Sequence, residues 1–206
     1  MLSVAIVGTG PTGLYTFAAL TRSFPPCRIT LYEKTDTIGV GTPYSLETAT
    51  KAMLANIASI EIPPLQIGYL EWMQAQPDEF LHRYGLDRVD LDERLFTPRL
   101  MLGSYFNDQF HALIEAARAA GHEVTVHTSA EVTDILATED GLRVVAGDRE
   151  EFDRVILASG HSFDDNAQNE RYFPNPWSGL IQTDVPAVRV GVLGTSLSAI
   201  DAAMAV

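Results

Sequence analysis

An apolar run over Val4–Val7 stops at Gly8, and a helical period then takes over, with Leu14, Phe17, Ala18 and Leu20 sharing a face. The run predicts a buried strand and the period a helix. Pro25 and Pro26 break the helix, and the β-rich stretch Arg28–Tyr32 predicts a second strand. Gly8, Gly10 and Gly13 stand between the first strand and its helix as G-x-G-x-x-G, and Glu33 follows the second strand, twenty residues past Gly13. Strand, tight turn, helix, strand and acid come in the order that a dinucleotide site requires.

Each residue type has a physical reason. Gly8 permits the sharp turn out of the strand, and Gly10 keeps backbone N–H groups open to a pyrophosphate seated on the partly positive helix N-terminus. Gly13 allows the helix to pack closely on the sheet. Glu33 is placed to accept hydrogen bonds from a ribose hydroxyl.

Further along, T-D-T-I-G-V-G-T-P-Y-S predicts a loop through Gly39, Gly41 and Pro43, with hydroxyls at Thr42 and Ser45. It is either an ordinary connection or a loop that returns across a cofactor. Within M-L-A-N-I-A-S, Asn56 is the one amide among apolar neighbours, which predicts a buried group in need of partners. It either ties a turn or touches a ligand. After Pro63 and Pro64, the stretch Leu65–Gln74 predicts a short amphipathic helix whose Tyr69, Leu70, Trp72 and Met73 belong to a core. His82 reads as a surface histidine.

From Leu100 a strong helical period runs through Leu102, Phe106, Phe110, Leu113 and Ile114 to a C-cap at Gly121. Arg99 precedes it, at the end where the helix dipole has no use for a cation, so it is either a contact to an anionic group or one partner of a surface salt bridge. Glu123–His127 alternates as a strand. Ala130–Leu136, Leu142–Ala146 and Phe152–Ala158 predict three more, joined by turns at Asp140-Gly141 and Gly147-Asp148. This is a small antiparallel insertion whose last strand rejoins the main sheet. The returning strand ends on the small residues Ala158, Ser159 and Gly160, which let a ligand approach the sheet's binding edge. After an irregular stretch, a strand is expected from Val188, and Gly194, Ser196, Ser198 and Ala199 repeat the logic of the first motif before a helix that carries Asp201.

Composition narrows the classes. The 206 residues are 46% hydrophobic, enough for one sizeable core or one domain and part of another. Lys and Arg number 14 against 27 Asp and Glu, and the net charge of -13 argues against nucleic acid or an anionic membrane as partner. The single cysteine, Cys27, excludes an internal disulfide and a C-x-x-C redox pair, and its setting reads as a small buried residue. No apolar stretch is long enough to span a membrane and no basic region precedes the first apolar run, so a cytoplasmic location is the default expectation. No metal site is expected.

G-T-G-P-T-G with Glu33, and the distal V-I-L-A-S-G-H, resemble the FAD-binding domain of the two-dinucleotide-domain flavoproteins. G-V-G-T-P-Y-S, M-L-A-N-I-A-S and P-R-L-M-L-G-S-Y-F look more narrowly like the FAD/NAD(P)-binding proteins related to N-hydroxylating flavin-dependent monooxygenases. The resemblance implies a Rossmann-like α/β fold with a parallel sheet, a small antiparallel β insertion and the start of a second nucleotide-binding domain. The expected division is residues 1–163 as an incomplete FAD domain, 164–187 as a linker and 188–206 as the truncated opening of an NAD(P) domain.

By the same resemblance Gly8, Gly10, Pro11, Thr12 and Gly13 would hold the FAD pyrophosphate and Glu33, beside Lys34, the adenosine ribose. Val132 would meet the adenine through its backbone, and Ala158, Ser159 and Gly160 would pass near the pyrophosphate; the family commonly has Thr where this chain has Ser159. Thr42, Asn56 and Arg99 are further candidates for FAD, and Gly194, Ser196 and Ser198 for NAD(P)H. The implied activity is that of an FAD-dependent oxidoreductase using NAD(P)H, in its fuller form a monooxygenase of a small-molecule substrate. A flavin reductase or dehydrogenase without oxygen chemistry and a non-catalytic FAD-binding module share the motifs. No side chain stands out as a catalytic base.

Overall fold

The computed structural model describes residues 1–161, 172–177, 180–182 and 184–206. Strands β1 (Ser3–Val7), β2 (Arg28–Tyr32), β3 (Glu123–His127) and β7 (Arg154–Leu157) form a parallel sheet in the order β3-β2-β1-β7. Strands β4 (Asp134–Ala137), β5 (Leu142–Ala146) and β6 (Asp148–Phe152) form a separate antiparallel sheet. The mixed α/β class with a parallel sheet and a small antiparallel insertion is therefore as expected.

Helix α1 (Pro11–Ser23) crosses between β1 and β2, as parallel pairing demands. The other helices are α2 (Tyr69–Ala75), α3 (Asp78–His82), α4 (Arg99–Ala119) and α5 (Leu197–Ala205). Helix α4 ends in a Schellman motif, in which the Gly121 N–H donates to the Arg118 carbonyl at 3.0 Å and the His122 N–H to the Ala117 carbonyl at 3.0 Å. Gly121 takes φ +93, the left-handed conformation this cap needs.

The chain divides into two compact units: 1–41 with 106–160, and 42–105 with 161–206. The first has its core between the sheet and the helices. Val4, Ala5, Ile6, Ile29 and Leu31 are buried along with Leu14 and Phe17 of α1 and Phe110 of α4. Phe17 meets Phe110 with ring centroids 5.4 Å apart. Ala5, Tyr32, Val144 and Phe152 form a smaller cluster under the insertion, on which Val132 packs. Cys27 is buried, as its setting implied, with Sγ 3.3 Å from Nδ1 of His122. The second unit is organised by aromatic residues. Tyr69 stacks on Trp72 at 5.8 Å and tilts against Tyr105 at 4.9 Å, so the aromatic face of α2 is core.

Three expectations change. The sequence pattern puts a turn at Gly147-Asp148 and its last strand over Phe152–Ala158; in the structure β6, D-R-E-E-F, follows that turn and closes the insertion, and only then does β7 return to the main sheet. Charge hides β6, an edge strand of the insertion, and Arg143 of β5 pairs with Glu151 at 2.5 Å across the register. The helix expected over Leu65–Gln74 forms only from Tyr69, after Gly68 at its N-cap. No strand forms from Val188: Val188, Val190, Val192 and Leu193 are exposed, and among the described residues no strand pairs with them. A strand without a neighbour leaves its backbone groups to water, so apolar alternation alone does not hold it. Part of the expected linker, 164–187, falls on residues outside the described set.

Candidate functional site

The carboxyl ends of β1, β2 and β7 converge because the three strands run parallel and adjacent. The chain leaves β1 at Gly8 with φ +94, and a Cβ there would run into the carbonyl oxygen of Ala158 and come within 3.1 Å of the Ser159 Cα. Glycine at position 8 therefore serves both the turn and the passage of the β7 end. A Cβ on Gly13 would drive into the Gly8 carbonyl oxygen, so the close packing of α1 on the strand end rests on that glycine. Helix α1 has Gly10 as N-cap and Pro11 at its first position, with no side-chain cap. Its first-turn N–H groups, at Thr12 and Gly13, are the helix-start donors that suit an anion.

Gly10 has a further role that sequence reasoning did not assign. A Cβ there would stand 3.1 Å from the Cα of Gly41, and one on Gly41, at φ +65, would stand 2.9 Å from Pro11 Cδ. The loop after Glu33 thus returns to the glycine turn. It is held by the Gly39 N–H donating to the Thr9 carbonyl at 3.0 Å and by Asn107 Nδ2 donating to the Ile38 carbonyl at 2.8 Å. Two glycines let the two stretches of backbone touch.

Glu33 sits at the end of β2, 8% exposed. Its backbone is fixed by the end of β3 and the turn beyond it: the Glu33 N–H donates to the His127 carbonyl at 2.8 Å and the Ala130 N–H to the Glu33 carbonyl at 2.9 Å. Carboxylate oxygen Oε2 accepts from the Thr9 N–H at 3.1 Å and the Thr9 hydroxyl at 2.6 Å. The other oxygen, Oε1, accepts from the Thr35 N–H and the Thr35 hydroxyl, both at 3.0 Å. Burial by itself would push this carboxyl up, but the four donors from Thr9 and Thr35 outweigh it and hold the group below the ordinary glutamate range. Sequence reading found the acid and missed its two threonines, although a hydroxyl inside the glycine motif and another two residues past the acid were the available signal.

The remaining candidates are dispersed. Ala158 is buried beside Gly8, while Ser159 and Gly160 are exposed at the β7 end. Lys34 is exposed. Thr42 opens a short 3-10 turn, Thr42–Tyr44, in the second unit, and its carbonyl accepts from the Thr48 hydroxyl. Asn56, also in the second unit, is exposed rather than buried. Its segment is extended against Thr97–Arg99, with the Ala55 N–H donating to the Thr97 carbonyl at 2.8 Å and a bridge between Leu54 and Pro98, so Met53 and Ala55 turn inward and Leu54 and Asn56 outward.

Arg99 is neither a surface ion pair nor an open cation. Its Nη2 lies 2.9 Å from Asp201 Oδ2, with side-chain exposures of 11% and 8%, and its Nε donates to the Leu54 carbonyl at 3.0 Å. Gly194 takes φ +107, Ser196 is the N-cap of α5 without a side-chain cap bond, and Ser198 is exposed on that helix. His82 lies on the surface as expected, with Nε2 3.0 Å from Asp87 Oδ1 and both side chains largely exposed. Among the described residues no cluster of His, Cys, Asp and Glu is placed to hold a metal ion, and no helix is long and apolar enough to cross a membrane.

The residues gathered at this edge fit a dinucleotide. The helix start lacks a side-chain cap, the strand ends are small, and a buried, ionised acid faces the glycine turn.

Comparison with known proteins agrees. The family model described as FAD-NAD(P)-binding matches residues 5–162. A protein of Escherichia coli strain K12, named uncharacterized protein YdhS, is 48% identical over 210 residues, which cover 100% of this chain and 39% of that one. The chain thus spans well under half the length of this relative. Among solved structures, S-allyl-L-cysteine S-oxygenase from Allium sativum superposes with a TM-score of 0.50 at 20% identity, covering 77% of this chain and 36% of that one. A flavin-containing monooxygenase from Stenotrophomonas maltophilia gives 0.49 at 16% identity, covering 77% and 39%.

Proposed function

The chain belongs to the FAD-NAD(P)-binding family, and on that premise we propose that it binds FAD at the carboxyl edge of its parallel sheet, as the N-terminal portion of an NAD(P)H-dependent flavoprotein oxidoreductase. Glu33 takes the adenosine ribose, and the start of α1 at Gly10–Gly13 takes the pyrophosphate. Ser159 and Gly160 border the pyrophosphate, and Val132 offers its backbone to the adenine. The observation that carries the reading is the Glu33 carboxylate, buried, ionised and bonded to Thr9 inside the glycine turn.

FAD would supply hydride and electron chemistry. The chain's own residues bind and orient: the helix start stabilises negative charge, and the strand-end glycines admit it to close range. The monooxygenase form of the activity, with a small-molecule substrate, rests on the motif resemblance of G-V-G-T-P-Y-S and P-R-L-M-L-G-S-Y-F. The stretch from Gly194 to Ser198 is proposed for NAD(P)H on the same grounds. A cytoplasmic location suits a nucleotide-dependent oxidoreductase.

The test is the visible absorption spectrum of the purified chain after incubation with FAD and desalting. Flavin bands that survive desalting, and that weaken in Glu33→Gln, support the reading. FMN, which lacks the adenosine, serves as the control and should wash out. A colourless protein after FAD, or equal retention of FMN, overturns it.

A further inference from the structure

Glu33 presents a problem for its own proposed role. A carboxylate offers about four acceptor positions, and here all four are filled by donors of the chain: the N–H and hydroxyl of Thr9 on Oε2, and the N–H and hydroxyl of Thr35 on Oε1. A ribose hydroxyl can enter only by displacing one of them. The two N–H donors are fixed by backbone: the Thr9 carbonyl is tied to Gly39 at 3.0 Å and the Thr35 carbonyl to Ser129 at 2.7 Å. The choice therefore falls between two hydroxyls.

They are not equivalent. Thr9 is 0% exposed and its hydroxyl makes the shorter bond, 2.6 Å. Turning it away would strand a buried donor beside a charge, a penalty the partly exposed hydroxyl escapes. The Thr35 hydroxyl is partly exposed and already lies 3.1 Å from a second acceptor, the Thr37 carbonyl. With one proton it serves one acceptor at a time, and a rotation about the Cβ–Oγ1 bond exchanges them.

Resting on the FAD reading, we propose that Thr35 is the exchangeable donor of the ribose subsite: its hydroxyl holds Glu33 Oε1 in the free protein and yields that oxygen to a ribose hydroxyl by turning to the Thr37 carbonyl. Thr9 keeps Oε2 fixed throughout and so positions the carboxylate. No hydrogen bond is lost in the exchange, because the incoming hydroxyl replaces the departing one and the departing proton finds a carbonyl. Thr9 is a positioning residue, and Thr35 sets how readily the acid is released to the ligand.

The experiment compares ADP with 2′-deoxy-ADP and 3′-deoxy-ADP by calorimetry on the full chain. The readout is the ratio of the weaker-binding deoxy analogue's Kd to that of ADP, which isolates the ribose hydroxyl. The wild type should show a ratio of about tenfold, the scale of one hydrogen bond to a charged group. Glu33→Gln and Thr9→Val should bring the ratio towards one, with Thr9→Ser restoring it. Thr35→Val should keep the full ratio and bind ADP at least as tightly as the wild type. A Thr35→Val protein whose ratio collapses like that of Glu33→Gln overturns the exchange, since the Thr35 hydroxyl would then be a prop. A Thr9→Val protein with an undiminished ratio, or a Thr9→Ser protein that fails to restore it, overturns the positioning role of Thr9. Wild-type chain that binds ADP with a ratio of one overturns the Glu33 subsite alone, whereas chain that binds neither ADP nor FAD overturns the nucleotide reading beneath it.

Discussion

The Arg99 guanidinium and the Asp201 carboxylate meet at 2.9 Å, a residue at the start of α4 against one in α5, with side-chain exposures of 11% and 8%. Trp177 Nε1 adds a donor to the same Asp201 oxygen at 3.4 Å. The pair ties α5 into the second unit, where Ala205 also packs on the cluster of Ala49, Met53 and Leu100. Removing one partner leaves an uncompensated buried charge, so Asp201→Ala should lower stability by about 3–5 kcal/mol in denaturant unfolding. Arg99→Met with Asp201→Leu should cost less than Asp201→Ala alone, because no lone charge remains. A double variant as unstable as the single one would show that the ion pair is not what holds α5.

The glycines of the turn differ in how much room they leave. Gly13→Ala must push a methyl into the Gly8 carbonyl, which is backbone and has nowhere to go. Overpacking of this kind costs about 1–3 kcal/mol, and retained FAD should fall with it. Gly68→Ser is the contrast: nothing lies within 4 Å of its Cβ position, and serine at the N-cap of α2 should gain a few tenths of a kcal/mol, to about 0.5. Thermal melts of the two variants should move in opposite directions.

Glu33 makes stability depend on pH in a definite direction. Burial favours its neutral form, but the hydrogen bonds from Thr9 and Thr35 prevail and lower its folded pKa. A lowered carboxylate contributes stability that is fully present above its unfolded value, about 4.3, and is lost as pH falls through the folded value. Thr9→Val removes one of the lowering bonds, so its acid unfolding should begin at a higher pH than that of the wild type. Glu33→Gln should flatten the dependence in this window. Both are read from circular dichroism along an acid titration.

Ser3 and Asp153 form a second acid-sensitive clasp. The Ser3 N–H and hydroxyl donate to Asp153 Oδ2 at 2.7 and 2.8 Å, and the Asp153 N–H returns a bond to the Ser3 hydroxyl at 3.0 Å. These bonds, the backbone one first, hold the Asp153 carboxyl below its ordinary range. Ser3→Ala should lower the melting temperature at neutral pH, and the deficit should shrink as the acid is titrated. A deficit of the same size at every pH would mean that the hydroxyl acts by packing alone.

The site was legible in part, and the reasons are local. Gly8, Gly13 and Glu33 stand out because their roles follow from spacing along two strands and a helix, a geometry that short-range rules fix. Thr9 becomes a clamp on the carboxylate only when β1 and β2 lie side by side, whereas Thr35, two residues past the acid, was a local signal left unread because threonine is common in turns. Asn56 was misjudged because burial was inferred from its neighbours' type, whereas pairing with Thr97–Arg99 made the segment extended and turned the amide outward. Strand β6 was missed because charged residues on an outer strand obey solubility rather than hydrophobic period.

By itself the sequence determined the succession of elements through β3 apart from α3, the parallel crossover and the dinucleotide motif, because each is set by periodicity, chain breakers and glycine spacing within about thirty residues. Only the tertiary structure decided that Thr9 clamps the acid, that Gly10 packs against Gly41, and that Arg99 is spent on Asp201. Those outcomes depend on residues far apart in the chain being brought within about 3 Å of one another, and no local pattern encodes such distances.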